Sequence, residues 1–281
     1  MRIFMLSLLL VPWLMLMPAR GQNLKLPISN YTSKVYGRNY EAANYCIVTD
    51  LRNMVYAGNG KGIMEYDGSE WRFIPVSQGA YVTSMAVSQT GIIFVGSQQE
   101  FGFLDPDKTG TLQYRSLSDQ LPDEDQFFSV IWATHTGDGF TVFQAEECLY
   151  IYKDDSLQTI YPESSFHTSF LIGSDLYVRE RGVGLKILQD EAFVPVNGGS
   201  VFAELGIFGM FPYNNNGSIL IATTEKGFFL FDPLRGIERM PTDNDEFLIQ
   251  AGIFGGIELR DGNIALHSRH EGVIICNREG R

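Results

Sequence analysis

The chain has 281 residues, of which 44% are hydrophobic and 13% aromatic, and its formal net charge at pH 7 is −12. This acidic balance excludes the basic surface with which nucleic-acid binders attract phosphate, so we expect no nucleic-acid partner. The 29 glycines and 13 tyrosines favour strands and turns over helices and predict an all-β fold with a packed core.

Residues 1–21 are typical of a secretory signal peptide. Arg2 supplies the positive charge, residues 3–17 are mostly apolar, and the small residues Ala19 and Gly21 fit a cleavage site before Gln22. The apolar stretch is short for a membrane span, which needs about 20 residues. We therefore expect an exported, periplasmic protein; an uncleaved anchor is the alternative.

The glycine-rich stretch GNGKG (58–62) raises the possibility of a phosphate-binding loop. Such a loop lies between a strand and the N-terminus of a helix. Here the following residues, IMEYDGSEW, combine aromatic residues with an Asp-Gly turn signal, which is typical of strands. We interpret 58–62 as the turn of a β-hairpin.

A pattern of two apolar strands joined by a four-residue polar link recurs along the chain. Its clearest copies are MVYAGNGKGIMEYD, IIFVGSQQEFGFLD and ILIATTEKGFFLFD. With three weaker copies, the small or polar residue that ends the first strand falls at positions 58, 96, 144, 180, 223 and 268. Their average separation of about 42 residues is the length of a β-propeller blade.

Each repeat gains an apolar strand before the hairpin and a strand of mixed polarity after it, giving strands A to D. The tetrapeptide GIFG recurs at 206 and 252, where glycine lets inner strands crowd around a central axis. The sequence therefore predicts a β-propeller of four-stranded antiparallel blades, with about six recognisable repeats in residues 46–281.

The sixth repeat ends at NREGR without a D strand. The N-terminal segment 22–45, specifically 30–40, is one source of a closing strand. The other interpretation, which we favour, is that the chain is the front part of a longer propeller protein.

The motifs GIMEYDGSEW (Gly62 to Trp71) and VGSQQEFGFL (Val95 to Leu104) resemble those of the periplasmic sensor propellers of Bacteroidetes-type two-component regulators. These regulators often carry a triple-tyrosine domain after the propeller. The resemblance covers nearly all of residues 30–281. It implies a ligand-sensing propeller followed by a β-sandwich, a membrane helix and a kinase or helix-turn-helix output, which we expect to lie outside this sequence. A homodimer is compatible with that role.

The B–C turns and the D–A connections share one face of a propeller, where ligands meet polar groups carried by loops. The polar residues predicted there as ligand-binding candidates are Gln99, Glu100, Arg179, Arg181, Glu225, Lys226, Arg269 and His270. Arginines beside aromatic rings are suited to an acidic sugar. Ordinary turn residues are the alternative for each one.

Catalytic and metal motifs are weak. In HSRH, His267 and His270 point to opposite faces of an extended chain and lack further zinc ligands. The acidic clusters 119–125 and 243–246 suit solvated loops, although paired carboxylates also serve glycosidases and calcium sites. We predict no catalytic residue, no metal and no cofactor.

Three hypotheses for function remain open. The leading one is a sensor of a glycan or another small extracellular signal. The second is a secreted propeller enzyme, either a polysaccharide lyase or a glycosidase, and the third is a protein-binding scaffold. Separately, Cys148 and Cys276 lie in apolar runs and are predicted to be buried free thiols.

Overall fold

The computed structural model describes residues 29–32 and 41–281. The predicted signal peptide, and residues 33–40 of the predicted closing strand, lie outside these ranges. Within them the chain forms strands throughout, with one short α-helix.

The first half of the propeller consists of blades 1 to 3. Blade 1 contains β1 (Asn44–Thr49), β2 (Val55–Asn59), β3 (Gly62–Tyr66) and β4 (Trp71–Pro75). Blade 2 contains β5 (Val82–Val87), β6 (Ile93–Ser97), β7 (Glu100–Pro106) and β8 (Leu112–Ser116). Blade 3 contains β9 (Ala133–Thr136), β10 (Phe140–Gln144), β11 (Leu149–Lys153) and β12 (Ser156–Ile160).

The second half consists of blades 4 to 6. Blade 4 contains β13 (Phe166–Ile172), β14 (Asp175–Glu180), β15 (Gly184–Gln189) and β16 (Ala192–Pro195). Blade 5 contains β17 (Ile207–Pro212), β18 (Ile219–Thr223), β19 (Gly227–Asp232) and β20 (Gly236–Met240). Blade 6 contains β21 (Ile253–Glu258), β22 (Ile264–Ser268) and β23 (Val273–Cys276).

Helices occur only in the connections between blades of the described chain. These are the 3-10 helices Ser77–Gly79, Ser118–Gln120, Asp123–Asp125 and Gly199–Phe202, and the α-helix α1 (Asp245–Ala251). Both acidic clusters noted in the sequence overlap these connections.

Each blade is an antiparallel sheet whose strands are hydrogen-bonded in chain order, and blade 6 has three strands. The A strands of successive blades lie side by side from blade 1 to blade 6, so they surround the axis. The prediction of a six-blade β-propeller with an incomplete last blade is confirmed. Of the predicted closing strand, residues 30–32 have no regular structure, and the Tyr31 ring packs on Tyr66 and Trp71 of blade 1.

The core lies between blades rather than inside any one of them. Between blades 2 and 3, the ring centroid of Phe101 is 4.5 Å from that of Phe143 and 4.8 Å from that of Tyr150. All three residues are fully buried. Because a side chain of this size contributes about 1.5–3 kcal/mol when it is buried, each blade depends on its neighbours for stability.

The two outermost faces of the array differ from the internal ones. Val273 on blade 6 corresponds to Phe228 on blade 5. Val273 pairs with His267 and Phe228 pairs with Ala222, and each of these partners is the penultimate residue of strand B. The exposed fraction of Val273 is 69%, against 0% for Phe228. On blade 1, Ile47 is likewise 69% exposed, whereas its counterpart Met85 on blade 2 is 7% exposed. Apolar surface of the kind buried between blades is therefore open at both ends.

The thiols of Cys148 and Cys276 are free and buried, as the sequence predicted, and Cys46 is free and partly buried. Burial raises the pKa of Cys148 to about 11 and that of Cys46 to about 12. At neutral pH these groups are therefore unreactive thiols rather than thiolates.

Candidate ligand site

A polar cavity of about 200 Å³ lies where the second half of the propeller presents its B–C turns and D–A connections. Its lining comes from blades 4, 5 and 6 and consists of His167, Arg179, Arg181, Glu204, Gly206, Phe208, Thr224, Glu225 and Arg269. Three arginines converge here in a chain whose net charge is −12.

The turns that build this cavity are one residue longer than those of blades 1 and 2. Strand pairing leaves two residues between Asn59 and Gly62 in blade 1, but three between Thr223 and Gly227 in blade 5. The longer turn closes on Gly227, whose φ of 68° lies in the left-handed region that favours glycine. In the structure Asn59 therefore corresponds to Thr223. The sequence alignment had matched Gly58 with Thr223, so it was wrong by one residue in blade 1.

Arg179 is fixed at the base of the cavity near the end of β14. Its guanidinium donates from Nε to the carbonyl oxygen of Phe202 at 2.9 Å and from Nη2 to that of Ala203 at 2.5 Å. The side chain is buried, and both partners are neutral. Burial, and then the charge of Arg181, lower the pKa of Arg179 below its ordinary value.

Arg181 and Arg269 each occupy the first position of a B–C turn. Arg181 Nη2 lies 3.4 Å from Glu146 Oε1 of blade 3, and both side chains are about half exposed. The guanidinium carbon of Arg269 lies 4.9 Å from the Phe254 ring centroid, a cation–π contact. The Arg269 backbone N–H donates to the carbonyl oxygen of Ala251, so helix α1 anchors this turn.

Two phenylalanines form an aromatic pair beside the arginines. Phe208 lines the cavity, and its ring stacks on that of Phe254 with a centroid distance of 4.9 Å and an interplanar angle of 28°. Both belong to the GIFG repeats at 206 and 252. The glycines of this repeat predicted close packing of the inner strands, but the role of the phenylalanines was not predicted, although their recurrence is visible in the sequence.

His167 also lines the cavity, and the sequence did not predict it there. Its ring stands edge-on to Phe208 at 5.3 Å, and its Nδ1 atom is buried without a hydrogen-bond partner among the described residues. Burial, followed by the charges of Arg179 and Arg181, lowers the pKa of His167 to about 4. The imidazole is therefore neutral at pH 7 and has an unused polar atom at the cavity.

Two carboxylates moderate the positive charge. Glu204 and Glu225 line the cavity, and no ion pair joins either of them to an arginine within the described part of the chain. The charge of Glu204 nevertheless favours the protonated form of Arg179. The site therefore holds three guanidinium groups against two free carboxylates.

Four of the eight predicted site residues come together in this cavity: Arg179, Arg181, Glu225 and Arg269. Lys226 and His270 lie in the same turns, outside the cavity lining, and both are exposed. The carbonyl oxygen of Lys226 accepts a hydrogen bond from Arg239 Nε at 2.9 Å.

The remaining two predicted residues, Gln99 and Glu100, belong to blade 2 and lie outside the cavity. Gln99 is exposed in a two-residue turn with φ of 53°. Glu100 is buried, and its Oε1 accepts three hydroxyl hydrogen bonds at 2.6–2.8 Å, from Tyr114, Ser116 and Ser118. Its carboxylate thus stabilises the edge of its own blade.

Carboxylates of the acidic clusters are likewise engaged within the protein. Asp125 accepts hydrogen bonds from the hydroxyls of Thr159 and Tyr161. Asp245 forms an ion pair with Arg239 at 2.7 Å and accepts from Thr242. No group of three metal-ligating side chains lies together within the described residues.

Searches with the sequence found no matching family model and no matching curated protein. Solved structures do match. Two are extracellular domains of Bacteroides thetaiotaomicron proteins described as hybrid two-component systems, at 17% and 14% identity, each with a TM-score of 0.62. These matches cover 88% and 87% of this chain.

The neighbours share the propeller fold. The two Bacteroides matches are extracellular domains of two-component systems, in agreement with the resemblance noted in the sequence motifs. The chain spans about a third of their length, 35% and 33%. Virginiamycin B lyase from Staphylococcus aureus also matches, with 14% identity, a TM-score of 0.55 and coverage of 83% of this chain and 84% of the lyase. No helix in the described ranges has the length and apolar character needed to cross a membrane.

Proposed function

We propose that this chain is the ligand-sensing propeller portion of an exported signalling receptor, and that the cavity between blades 4, 5 and 6 binds a small extracellular ligand such as a glycan fragment. The observation that carries the proposal is the convergence of three arginines and a stacked phenylalanine pair on the loop face of the propeller. Polar groups beside an aromatic surface are the usual composition of a ligand pocket.

Signalling follows if the ligand binds one arrangement of the blades better than another, since a ligand shifts a conformational equilibrium only through differential affinity. The cavity joins three blades, so a bound ligand contacts all of them at once. We place the partner domains that respond to this shift, together with the membrane tether, in a longer receptor. The open apolar faces around Ile47 and Val273 support such further docking.

The test is calorimetric titration of the purified chain with a panel of oligosaccharides and small metabolites. We expect at least one ligand to bind, and Phe254→Ala to weaken that binding. Phe254 is 44% exposed, so its replacement leaves the core intact. Arg115→Ala is the matched control, because Arg115 is an exposed residue of blade 2 outside the cavity.

The same samples distinguish the sensor from a secreted lyase or glycosidase. Binding without new reducing ends or unsaturated products supports the sensor, whereas depolymerisation of the ligand contradicts it. Binding that Phe254→Ala and Arg115→Ala change equally would contradict the proposed location.

A further inference from the structure

We propose that the cavity selects ligands by a single anionic group, a carboxylate or a sulfate ester, carried on a sugar-sized ring. This inference rests on the proposed function and specifies the chemistry of that same site. It follows from how the charged groups are held and from which of them lack partners.

Two arginines of the cavity carry a charge that no carboxylate of the described residues compensates. The two hydrogen bonds that orient Arg179 go to backbone carbonyls, which are neutral. Arg269 is held by the Phe254 ring and has no carboxylate within 4.0 Å in the described part of the chain. Two guanidinium groups are therefore positioned without a counter-ion, and an anionic ligand is the partner they fit best.

Arg181 has a partner, but the pairing is weak. Its ion pair with Glu146 is long, at 3.4 Å, and about half exposed, so it contributes little and exchanges readily. An incoming anion can therefore take over this guanidinium at small cost. The bidentate geometry of arginine suits both carboxylate and sulfate oxygens.

His167 brings an unsatisfied polar atom to the cavity. Its buried Nδ1 atom has no hydrogen-bond partner within the described residues, and leaving such an atom unpaired is costly. A neutral imidazole offers one donor and one acceptor, and it can pair with a ligand oxygen beside the arginines. The cavity thus lacks one polar partner that a ligand would supply.

The final step limits the ligand to one charge. Glu204 and Glu225 also line the cavity and would repel a second anionic group. The net charge of −12 opposes the approach of a polyanion. The stacked rings of Phe208 and Phe254 provide apolar surface for the C–H face of a ring. A monoanionic sugar matches all three features.

The experiment compares four probes on the purified chain: galacturonic acid, galactose, galactose 6-sulfate and inorganic sulfate. We expect at least one charged sugar to bind about ten-fold or more tightly than galactose, since a charge-assisted arginine contact accounts for a factor of this size. Comparing the affinities of galacturonic acid and galactose 6-sulfate shows whether the cavity prefers a carboxylate or a sulfate ester. Inorganic sulfate shows whether the anion alone suffices.

Arg269→Gln should remove this preference, while Arg269→Lys should retain part of it. Arg115→Gln on blade 2 serves as the matched control for loss of one surface charge. Each variant's melting temperature is measured first, so that loss of binding is not confused with loss of fold.

Three results would overturn the inference. If galactose binds as well as the charged sugars and Phe254→Ala weakens it, the site stands and the anionic preference is wrong. If a charged sugar binds but Arg269→Gln and Arg115→Gln behave alike, the anion lies elsewhere. Absence of binding by all four probes contradicts the anionic preference, and the wider ligand panel then decides the proposed function separately.

Discussion

The two halves of the propeller share one strand plan but differ in how they use charge. In blades 1 and 2 the B–C turns have two residues and begin with Gly60 and Gln98. In blade 3 the hydrogen bond from the Ala145 N–H to the Cys148 carbonyl oxygen closes a two-residue turn that begins with Glu146. In blades 4 to 6 the turns are one residue longer, and two of them begin with Arg181 and Arg269. The cavity lies entirely in the second half.

The half that contains the cavity therefore differs from the other half in turn length, while the strand plan of the sheets stays the same. The first turn positions of blades 3 and 4 lie close together, since Arg181 Nη2 is 3.4 Å from Glu146 Oε1. Adding one residue, with a glycine to close the turn, makes room for a long cationic side chain. The halves also differ in what stabilises their buried carboxylates: a lysine pairs with Glu180 in blade 4, whereas hydroxyl groups bind Glu100 in blade 2.

The largest expected effect is the loss of the buried ion pair in blade 4. Lys186 Nζ lies 2.9 Å from Glu180 Oε2 and 2.6 Å from Glu163 Oε1, and the Lys186 and Glu180 side chains are 6% and 1% exposed. Although burial opposes it, hydrogen bonding to Glu163 and Glu180 raises the pKa of Lys186. Lys186→Met should lower the free energy of unfolding by about 3–5 kcal/mol, since the buried Glu180 carboxylate loses its counter-ion and keeps only its hydrogen bonds from Ser164.

Glu100→Gln in blade 2 is the comparison from the first half. Glutamine keeps an acceptor oxygen for the three hydroxyls that bind Glu100, so we expect a loss of only about 1 kcal/mol in urea unfolding. Glu180→Gln combined with Lys186→Met should recover part of the stability. Equal losses for Lys186→Met and Glu100→Gln would show that both halves hold charge equally well.

The next effect is a loss of stability at mildly acidic pH. His135 in blade 3 donates to or accepts from Ser169 Oγ at 2.9 Å, and burial lowers its pKa from about 6.5 to about 4. The unfolded chain takes up the proton first as the pH falls, so the contribution is present above pH 6.5 and is lost towards pH 4. We expect about 2 kcal/mol to be lost between pH 7.5 and 5 at this residue, and His135→Asn to reduce that loss.

His167 in blade 4 sharpens the contrast, because the charges of Arg179 and Arg181 add to the effect of burial on its pKa. Salt screens charges but leaves burial unchanged. In an NMR titration, raising the salt concentration should therefore raise the pKa of His167 and leave that of His135 almost unaltered. An equal response of the two imidazoles would contradict the positive potential assigned to the cavity.

The fold was predictable from the sequence because each blade repeats its own signals. Hairpins such as 54–67 carry apolar strands, a polar link and an aspartate, and their spacing identifies blades without knowledge of packing. The loop face was predictable for the same reason, since turn residues such as Arg181 and Arg269 must share one end of the blades.

The composition of the cavity was less predictable, because it depends on packing between blades. The sequence around Glu100 and that around Glu225 do not show which of the two lines a cavity. Hydroxyl groups of its own blade bind Glu100, whereas Glu225 lines the cavity. Phe208 and His167 meet only when blades 4 and 5 dock. The sequence alignment assumed four-residue links in every repeat and so could not detect a one-residue difference in turn length. For this reason it aligned Gly58, rather than Asn59, with Thr223.

The smallest expected effect on stability concerns one exposed contact between the two halves, the Arg181–Glu146 pair. Glu146→Gln removes the carboxylate 3.4 Å from Arg181, and because both side chains are about half exposed the free energy of unfolding should change by no more than about 1 kcal/mol. Binding should respond in the opposite direction, since Arg181 loses its competing anion and should hold a charged sugar more tightly in calorimetric titration. Glu147→Gln changes the neighbouring charge in the same turn and controls for net charge. Tighter binding by both variants would mean that general electrostatics, rather than release of Arg181, governs affinity.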